Sequence, residues 1–284
     1  MQRAGSSCLT RRPVVRYYGG KAALAPWIIA HMPPHDVYVE PFGGGAAVLL
    51  QKSRAATEVY NDLDGEMVNL FQVLRDREQG ERLVRLVALT PFAREEFLSA
   101  YETTSDPVER ARRLLVRSHL GYGGAGTFGR KTGFRPAPRS RQQRGTHPAE
   151  DWARFPRALG EIVRRCESVV IEHCDALELV RRYDGTDTVY YVDPPYLKGL
   201  RGDRGHLYAH DLEDSDHVSL AAAVKRLSGT VLLSGYRSRL YDELYADWHR
   251  EERWSVVQGG GRRCEVLWMN RCPPAPRLFA GEPA

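Results

Sequence analysis

The sequence predicts an α/β protein: an open sheet interrupted by a long helical insertion. Three observations predict it. Short β-branched and aromatic runs recur at 37–40, 57–60, 168–172, 189–192, 230–234 and 265–269, the pattern of strands buried on both faces. The first run passes through a glycine-rich turn into an apolar stretch with helical character. Between the second and third runs, residues 65–165 carry helical rather than strand periodicity.

Composition sets outer limits. A chain of 284 residues is long enough for one large domain, or for a core with a sizeable insertion. A formal charge of +5 is compatible with a nucleic-acid partner without demanding one. The five cysteines, Cys8, Cys166, Cys174, Cys264 and Cys272, are scattered and form no C-x-x-C pair. That spacing argues for a reducing cytoplasm and against a disulfide framework or structural zinc. No apolar run approaches membrane-spanning length. The amino terminus has Arg3, Arg11 and Arg12 but no signal-peptide core.

Residues 1–14 read as a loose basic lead-in. Tyr17-Tyr18-Gly19-Gly20-Lys21 then precedes a short helical stretch at 22–30. Its glycines allow close backbone approach, and Lys21 at a helix start can meet an anion; a plain turn explains the same residues. Val37-Tyr38-Val39-Glu40 reads as a strand, Pro41-Phe42-Gly43-Gly44-Gly45 as a turn, and Ala46-Ala47-Val48-Leu49-Leu50 as a helix start. Strand, glycine turn and helix together form the nucleotide-binding entry of a Rossmann-like sheet, in which glycines leave room for a cofactor. The next strand ends in Asn61-Asp62-Leu63-Asp64. Asp62 stands where an acid receives ribose hydroxyls; Asp64 competes for that role or caps the following helix.

In the insertion, Met67, Leu70, Phe71 and Leu74 share one helical face, and Asp106-Pro107 opens a second helix whose stripe is Val108, Ala111, Leu114 and Leu115. These stripes read as packing. Between Gly121 and Ala149 no acidic residue occurs, while Arg130, Lys131, Arg135, Arg139, Arg141 and Arg144 do. Interleaved with glycines, Phe128 and Phe134, they suggest a phosphate-contacting loop, the alternative being a solvated surface. Trp152, Phe155, Leu159, Ile162 and Val163 mark a further helix, and Asp175 follows the third strand, ahead of a short helix at 177–183. Residues 197–216 read as irregular, without clean metal spacing, and the end from Pro273 as a frayed tail.

The strand Val189-Tyr190-Tyr191-Val192 stops at Asp193-Pro194-Pro195-Tyr196. Two prolines cannot donate to a ladder, and the first turns Asp193 away from helical geometry. The product is a stiff elbow at a strand's carboxyl end, where open α/β sheets bind ligands. A carboxylate and fixed carbonyls can accept from an amino group, and Tyr196 can stack on a flat ring. An amino-bearing ring such as adenine fits all three.

Taken in chain order, Tyr17-Tyr18-Gly19-Gly20-Lys21, Glu40-Pro41-Phe42-Gly43-Gly44-Gly45, Asn61-Asp62, a helical insertion and Asp193-Pro194-Pro195-Tyr196 resemble the Dam-type, alpha-class DNA adenine methyltransferases, from Tyr17 to Met269. The resemblance implies a seven-stranded Rossmann-like methyltransferase sheet, with a core of 1–64 and 166–272, a target-recognition insertion at 65–165 and a tail at 273–284. It implies methyl transfer from S-adenosyl-L-methionine to the N6 amino group of adenine in double-stranded DNA, by a flipped base. No metal is implied, because the sulfonium already carries a good leaving group. It assigns Tyr17, Gly20, Lys21, Pro41, Phe42, Gly43, Gly45, Asp62, Asp175 and Asp193 to the cofactor, Asp193, Pro194, Pro195 and Tyr196 to catalysis, and leaves Arg130, Lys131, Arg135 and Arg139 for DNA. Tyr17 departs from the family, which often carries Trp there. A cytoplasmic monomer of a bacterium or phage, alone or beside a cognate restriction endonuclease, is the implied setting. Three alternatives stand beside it. A nicotinamide-dependent oxidoreductase leaves the elbow unexplained. An enzyme of RNA adenine or DNA cytosine is the second, the acid at Asp193 favouring adenine. A non-catalytic DNA-binding protein conflicts with an intact elbow and glycine turn.

Overall fold

The computed structural model describes residues 13–16, 20–123, 125–128, 130–135, 147–197, 199, 211–256 and 262–272. Tyr17, Arg139, Arg141 and Arg144 lie outside the described residues.

Among the described residues seven strands form one sheet: β1 (Val37–Glu40), β2 (Thr57–Asn61), β3 (Val169–Glu172), β4 (Thr188–Val192), β5 (Thr230–Tyr236), β6 (His249–Val256) and β7 (Arg262–Met269), in the order β3-β2-β1-β4-β5-β7-β6. Pairings from β3 to β5 are parallel; β7 runs antiparallel to both β5 and β6. The chain winds outward from β1 in one direction and from β4 in the other. The carboxyl ends of β1 and β4 therefore flank a topological switch point, the place where such sheets bind ligands.

Six strands coincide with the apolar runs of the sequence. The seventh, β6, does not announce itself: Arg250, Glu251, Glu252 and Arg253 occupy its centre. Among the described residues it pairs on one side only, and charges on an outer strand block further pairing.

Local chemistry sets the helix starts. Asp64 caps α3 (Gly65–Arg75), Asp76 caps α4 (Arg77–Leu89), and Asp106 caps α6 (Pro107–Leu120), each accepting a first-turn N–H. Between α4 and α6 lies α5 (Arg94–Ser99), and α7 (Pro148–Cys166) closes the insertion. The short helices α1 (Ala25–Ala30) and α2 (Ala47–Gln51) precede it; α8 (Ala176–Arg182), α9 (Asp214–Val224) and α10 (Arg239–Leu244) follow.

Alternation along the strands splits the core into two layers. Tyr38, Tyr60, Tyr191, Leu232 and Leu267 join one layer with Phe71, Leu83, Leu114 and Phe155 of the insertion. Val39, Val59, Tyr190, Val192 and Trp268 join the other with Leu179, Leu220 and Tyr241. The insertion helices thus share a hydrophobic layer with the sheet; Phe71 stacks on Tyr60 with ring centroids 4.0 Å apart. A buried ion triad adds a polar tie. Glu58 of β2 receives Arg165 of α7 at 2.5 Å and Lys52, just past α2, at 2.8 Å.

The lead-in is not loose where it is described. Val14 and Val15 are buried, the Arg16 N–H donates to Ser118 Oγ at 2.6 Å, and the His119 ring meets the Val14 carbonyl at 3.0 Å. This strap lies against α6.

Candidate active site

The elbow sits at the switch point. Asp193 directly follows β4, and both of its carboxylate oxygens are engaged. Lys21 Nζ lies 3.0 Å from Oδ2, and Ser234 Oγ donates to Oδ1 at 2.7 Å. The hydroxyl of Tyr191 lies 3.0 Å from Ser234 Oγ. Beyond the prolines, Tyr196 is buried; its hydroxyl donates to Glu265 Oε2 at 2.8 Å, and its ring meets Tyr236 edge-on at 4.5 Å. Lys21 Nζ also lies 4.7 Å from the centre of the Tyr196 ring. A carboxylate, a cation and an aromatic ring are therefore collected by β4, β5, β7 and the amino-terminal strap.

This arrangement changes two sequence expectations. Lys21 is not the first residue of a helix facing an anion from outside; α1 begins at Ala25, and Lys21 is buried against the Asp193 carboxylate. Tyr196 does not present a ring alone, because its hydroxyl is committed to Glu265. Burial pushes the Glu265 carboxyl up, against the lowering influence of Lys21.

The glycine turn lies beside the elbow, between β1 and β2. Gly44 has φ of 46°, a conformation suited to glycine. Its N–H donates to Asp62 Oδ2 at 2.7 Å, and the Asp64 N–H donates to Asp62 Oδ1 at 2.9 Å. Asp64 itself caps α3, so Asp62 is the acid that meets the turn. Desolvation raises the Asp62 carboxyl to about 6 despite backbone donation from Asp64, Gly44 and Leu63. The reason for Gly43 differs from the expected one: a Cβ there would lie 2.2 Å from the Tyr60 ring, so the missing side chain makes room for the protein's own tyrosine. Gly45 is half-buried in the same turn, Pro41 is buried, Phe42 packs on the second core layer, and Gly20 is exposed beside Lys21. Asn61 joins the loops, donating to the carbonyls of Pro41 and Cys174 at 2.9 and 3.0 Å.

Glu40 ends β1 under the turn. Its Oε1 accepts from the Tyr38 hydroxyl at 2.6 Å and the Leu49 N–H at 2.7 Å. Burial outweighs both donors and raises its carboxyl to about 7. Asp175 is exposed and caps α8, accepting from Leu177 and Glu178 N–H groups through Oδ1.

The basic stretch folds back on itself. Gly121 bridges Phe134, and the Arg135 N–H donates to the Leu120 carbonyl at 2.8 Å. Arg130 and Lys131 are exposed. Arg135 is not: it is half-buried, 4.0 Å from Asp151 of α7, which also meets Arg16 at 3.5 Å. The segment lacks acids in sequence, yet α7 supplies a counter-charge in space.

Sequence reading alone gave no role to Ser234, Glu265, Glu40 or Asp151, although Glu40 opens the motif that includes the glycine turn. The first three share a faint signal: each is a polar residue at the end of an otherwise apolar run, Ser234 closing TVLLS, Glu265 opening EVLWM and Glu40 closing VYVE. Asp151 stands only two positions past the acid-free interval. Among the described residues no group of His, Cys, Asp and Glu could hold a metal ion, and no helix is long and apolar enough to cross a membrane.

Comparison with known proteins agrees with this geometry. Residues 17–258 match the family model described as D12 class N6 adenine-specific DNA methyltransferase. The chain is similar to the DNA adenine methylase of Escherichia coli strain K12, 25% identical over 267 residues that cover 90% of this chain and 92% of the relative. It is similar to the DNA adenine methylase of Serratia marcescens, 24% identical over 257 residues covering 87% and 90%. It also resembles the type II methyltransferase M.MjaIII of Methanocaldococcus jannaschii, 22% identical over 270 residues covering 82% and 88%.

Proposed function

Because the chain belongs to the D12 class N6 adenine-specific DNA methyltransferases, it methylates the exocyclic amino group of adenine in DNA, and we propose that the Asp193-to-Tyr196 elbow is where it does so. The observation that carries this is the Asp193 carboxylate, fixed at the switch point by Lys21 at 3.0 Å and Ser234 at 2.7 Å.

The neighbouring turn fits S-adenosyl-L-methionine. Gly44 and Gly45 bring no side chains to it, and the Asp62 carboxylate, with about four lone-pair sites and backbone donors at Gly44, Asp64 and Leu63, keeps acceptor capacity for a ribose hydroxyl. Bound there, that donor would supply a sulfonium methyl; its transfer to the adenine nitrogen would form N–C and break S–C, with the pair left on sulfur and one amino proton passing to water.

The protein's own residues prepare the nitrogen. An adenine amino group is a poor nucleophile because its lone pair is delocalised into the ring. Hydrogen bonds to Asp193 and the Pro194 carbonyl favour a pyramidal nitrogen with a freed lone pair, and the carboxylate opposes the positive charge that builds there. Pro194 and Pro195 hold the acceptors in place, which supplies orientation. Lys21 meets Asp193 Oδ2 in this structure, and the second lone pair of that oxygen serves the amino group. Tyr196 lines the pocket that receives a flipped base, offsetting part of a cost of a few kcal/mol. Exposed Arg130 and Lys131 contact phosphates on the hairpin.

The proposal extends to duplex DNA as the form acted on, in the cytoplasm of a bacterial cell, by a monomer. The type II name of one relative supports a restriction partner as an alternative to solitary action. Calorimetry tests the donor site. Asp62→Ala is expected to weaken S-adenosyl-L-methionine by roughly 1.5–3 kcal/mol, the worth of a hydrogen bond to a charged group. Unchanged affinity, or tight binding of a nicotinamide dinucleotide by the parent, contradicts the assignment. Transfer to duplex DNA and to RNA, assayed side by side, separates the two nucleic acids.

A further inference from the structure

Ser234 closes the apolar run of β5, one strand away from the elbow, and is buried. A buried hydroxyl costs free energy unless it is hydrogen-bonded, so alanine would serve packing alone as well. Here the hydroxyl is spent twice. It donates its single proton to Asp193 Oδ1 at 2.7 Å, and its oxygen lies 3.0 Å from the Tyr191 hydroxyl. With the serine proton already used, Tyr191 is the donor in the second pair. Tyr191 is buried as well. The result is a one-way relay, Tyr191 to Ser234 to Asp193, that reaches the carboxylate from the core side.

The terminal torsion of an aspartate is broad and nearly two-fold, so the residue's own stem does not fix the plane of its carboxylate. Fixing Oδ1 on Ser234 sets that plane. The other oxygen, Oδ2, is the one that Lys21 reaches at 3.0 Å, on the Tyr196 side of the elbow. We infer that Ser234, oriented by Tyr191, is a positioning residue for methyl transfer: it locks the Asp193 carboxylate so that Oδ2 meets the target amino group. Neither hydroxyl touches the substrate. Their contribution is geometric, and it is felt as charge builds on the amino nitrogen and the hydrogen bond to Oδ2 tightens. The inference rests on the function proposed above.

The test compares the parent, Ser234→Ala and Tyr191→Phe in methyl transfer from S-adenosyl-L-methionine to duplex DNA. Ser234→Ala is expected to lower kcat by about 10- to 100-fold, the worth of one hydrogen bond to a charged group. KM for donor and DNA should stay within about twofold, since an interaction made only at the reacting centre lowers kcat without loosening binding. Tyr191→Phe keeps the ring, removes the orienting proton, and is expected to lower kcat by roughly 3- to 10-fold. If Ser234→Ala fails to fold, as its melting curve would show, Tyr191→Phe decides by the same split. A kcat within about twofold of the parent in the folded variants overturns the inference, as does a loss confined to KM. A parent that transfers no methyl overturns the proposed function and this inference with it; an active parent beside unimpaired variants overturns the inference alone.

Discussion

At the scale of the residue, the decisive group is Asp193. Asp193→Ala is expected to lower kcat by at least about a hundredfold, by analogy with loss of a group that stabilises developing charge. Folding should survive, because the side chain stands at a strand end and is only partly buried, 21% exposed; circular dichroism beside the transfer assay checks both. Tyr196 is a different case. Were stacking its whole role, phenylalanine would serve. Its hydroxyl, however, donates to Glu265 at 2.8 Å. Tyr196→Phe strands a buried carboxyl and is expected to lose activity by about tenfold, with Tyr196→Ala losing more; a fully active Phe variant would show that the bond to Glu265 is dispensable. Glu40 carries a pH signature. Its folded carboxyl is raised to about 7, so between the ordinary glutamate range and about 7 the folded chain holds a proton that the unfolded chain has released. Stability from this group is present at low pH and lost as pH rises through that window. Glu40→Gln removes the loss, so relative to the parent it should gain on the order of 3 kcal/mol between about pH 4 and pH 8, read from denaturant melts. A constant difference across that range contradicts the assignment.

At the scale of the element, the glycine turn and the elbow were legible because each is written in consecutive residues with strong backbone preferences. Gly44 at φ 46° and the paired prolines leave few conformations. β6 was not legible, since an outer antiparallel strand needs no apolar run and this one carries charges through its centre. The basic hairpin was half legible. Its exposure at Arg130 and Lys131 follows from composition, but the pairing of Arg135 with Asp151 is a tertiary event that no local pattern encodes. Phosphate contact therefore falls on Arg130 and Lys131. Replacing both with alanine should flatten the plot of log affinity against log salt by about 1.8, or roughly 0.9 for each contact. Arg135→Ala should change that slope less. An unchanged slope in the double variant means solvated surface only. The triad of Glu58, Lys52 and Arg165 is the matching prediction for stability. Burial opposes the charged form of Glu58, yet hydrogen bonds from Arg165 and Lys52 outweigh it and hold its carboxyl below the usual range. Arg165→Met leaves buried Glu58 with Lys52 as its remaining partner in the triad and is expected to cost up to about 3–5 kcal/mol in chemical denaturation; a loss below about 1 kcal/mol would place the triad among surface pairs.

At the scale of the whole molecule, one sheet gathers residues that are far apart in the chain. Lys21, Asp62, Asp193, Ser234 and Glu265 come from five separate segments, and they converge because the strand order places β2, β1, β4, β5 and β7 side by side. Sequence spacing exposes the first three, each lodged in a recognisable motif. It conceals Ser234 and Glu265, whose importance is created by strand register alone: Tyr236 pairs with Glu265, and Val192 with Leu233. The central claim is that Asp193 directs methyl transfer to the N6 position of adenine in DNA. The most direct measurement is the modified-base content of DNA from a methylase-deficient host expressing the chain, parent against Asp193→Ala, by digestion and mass spectrometry. The account predicts N6-methyladenine with the parent, and at most about one hundredth of the parent's transfer rate with the variant. Methyl groups on another base, or undiminished N6-methyladenine with Asp193→Ala at comparable expression in a short induction, would contradict it.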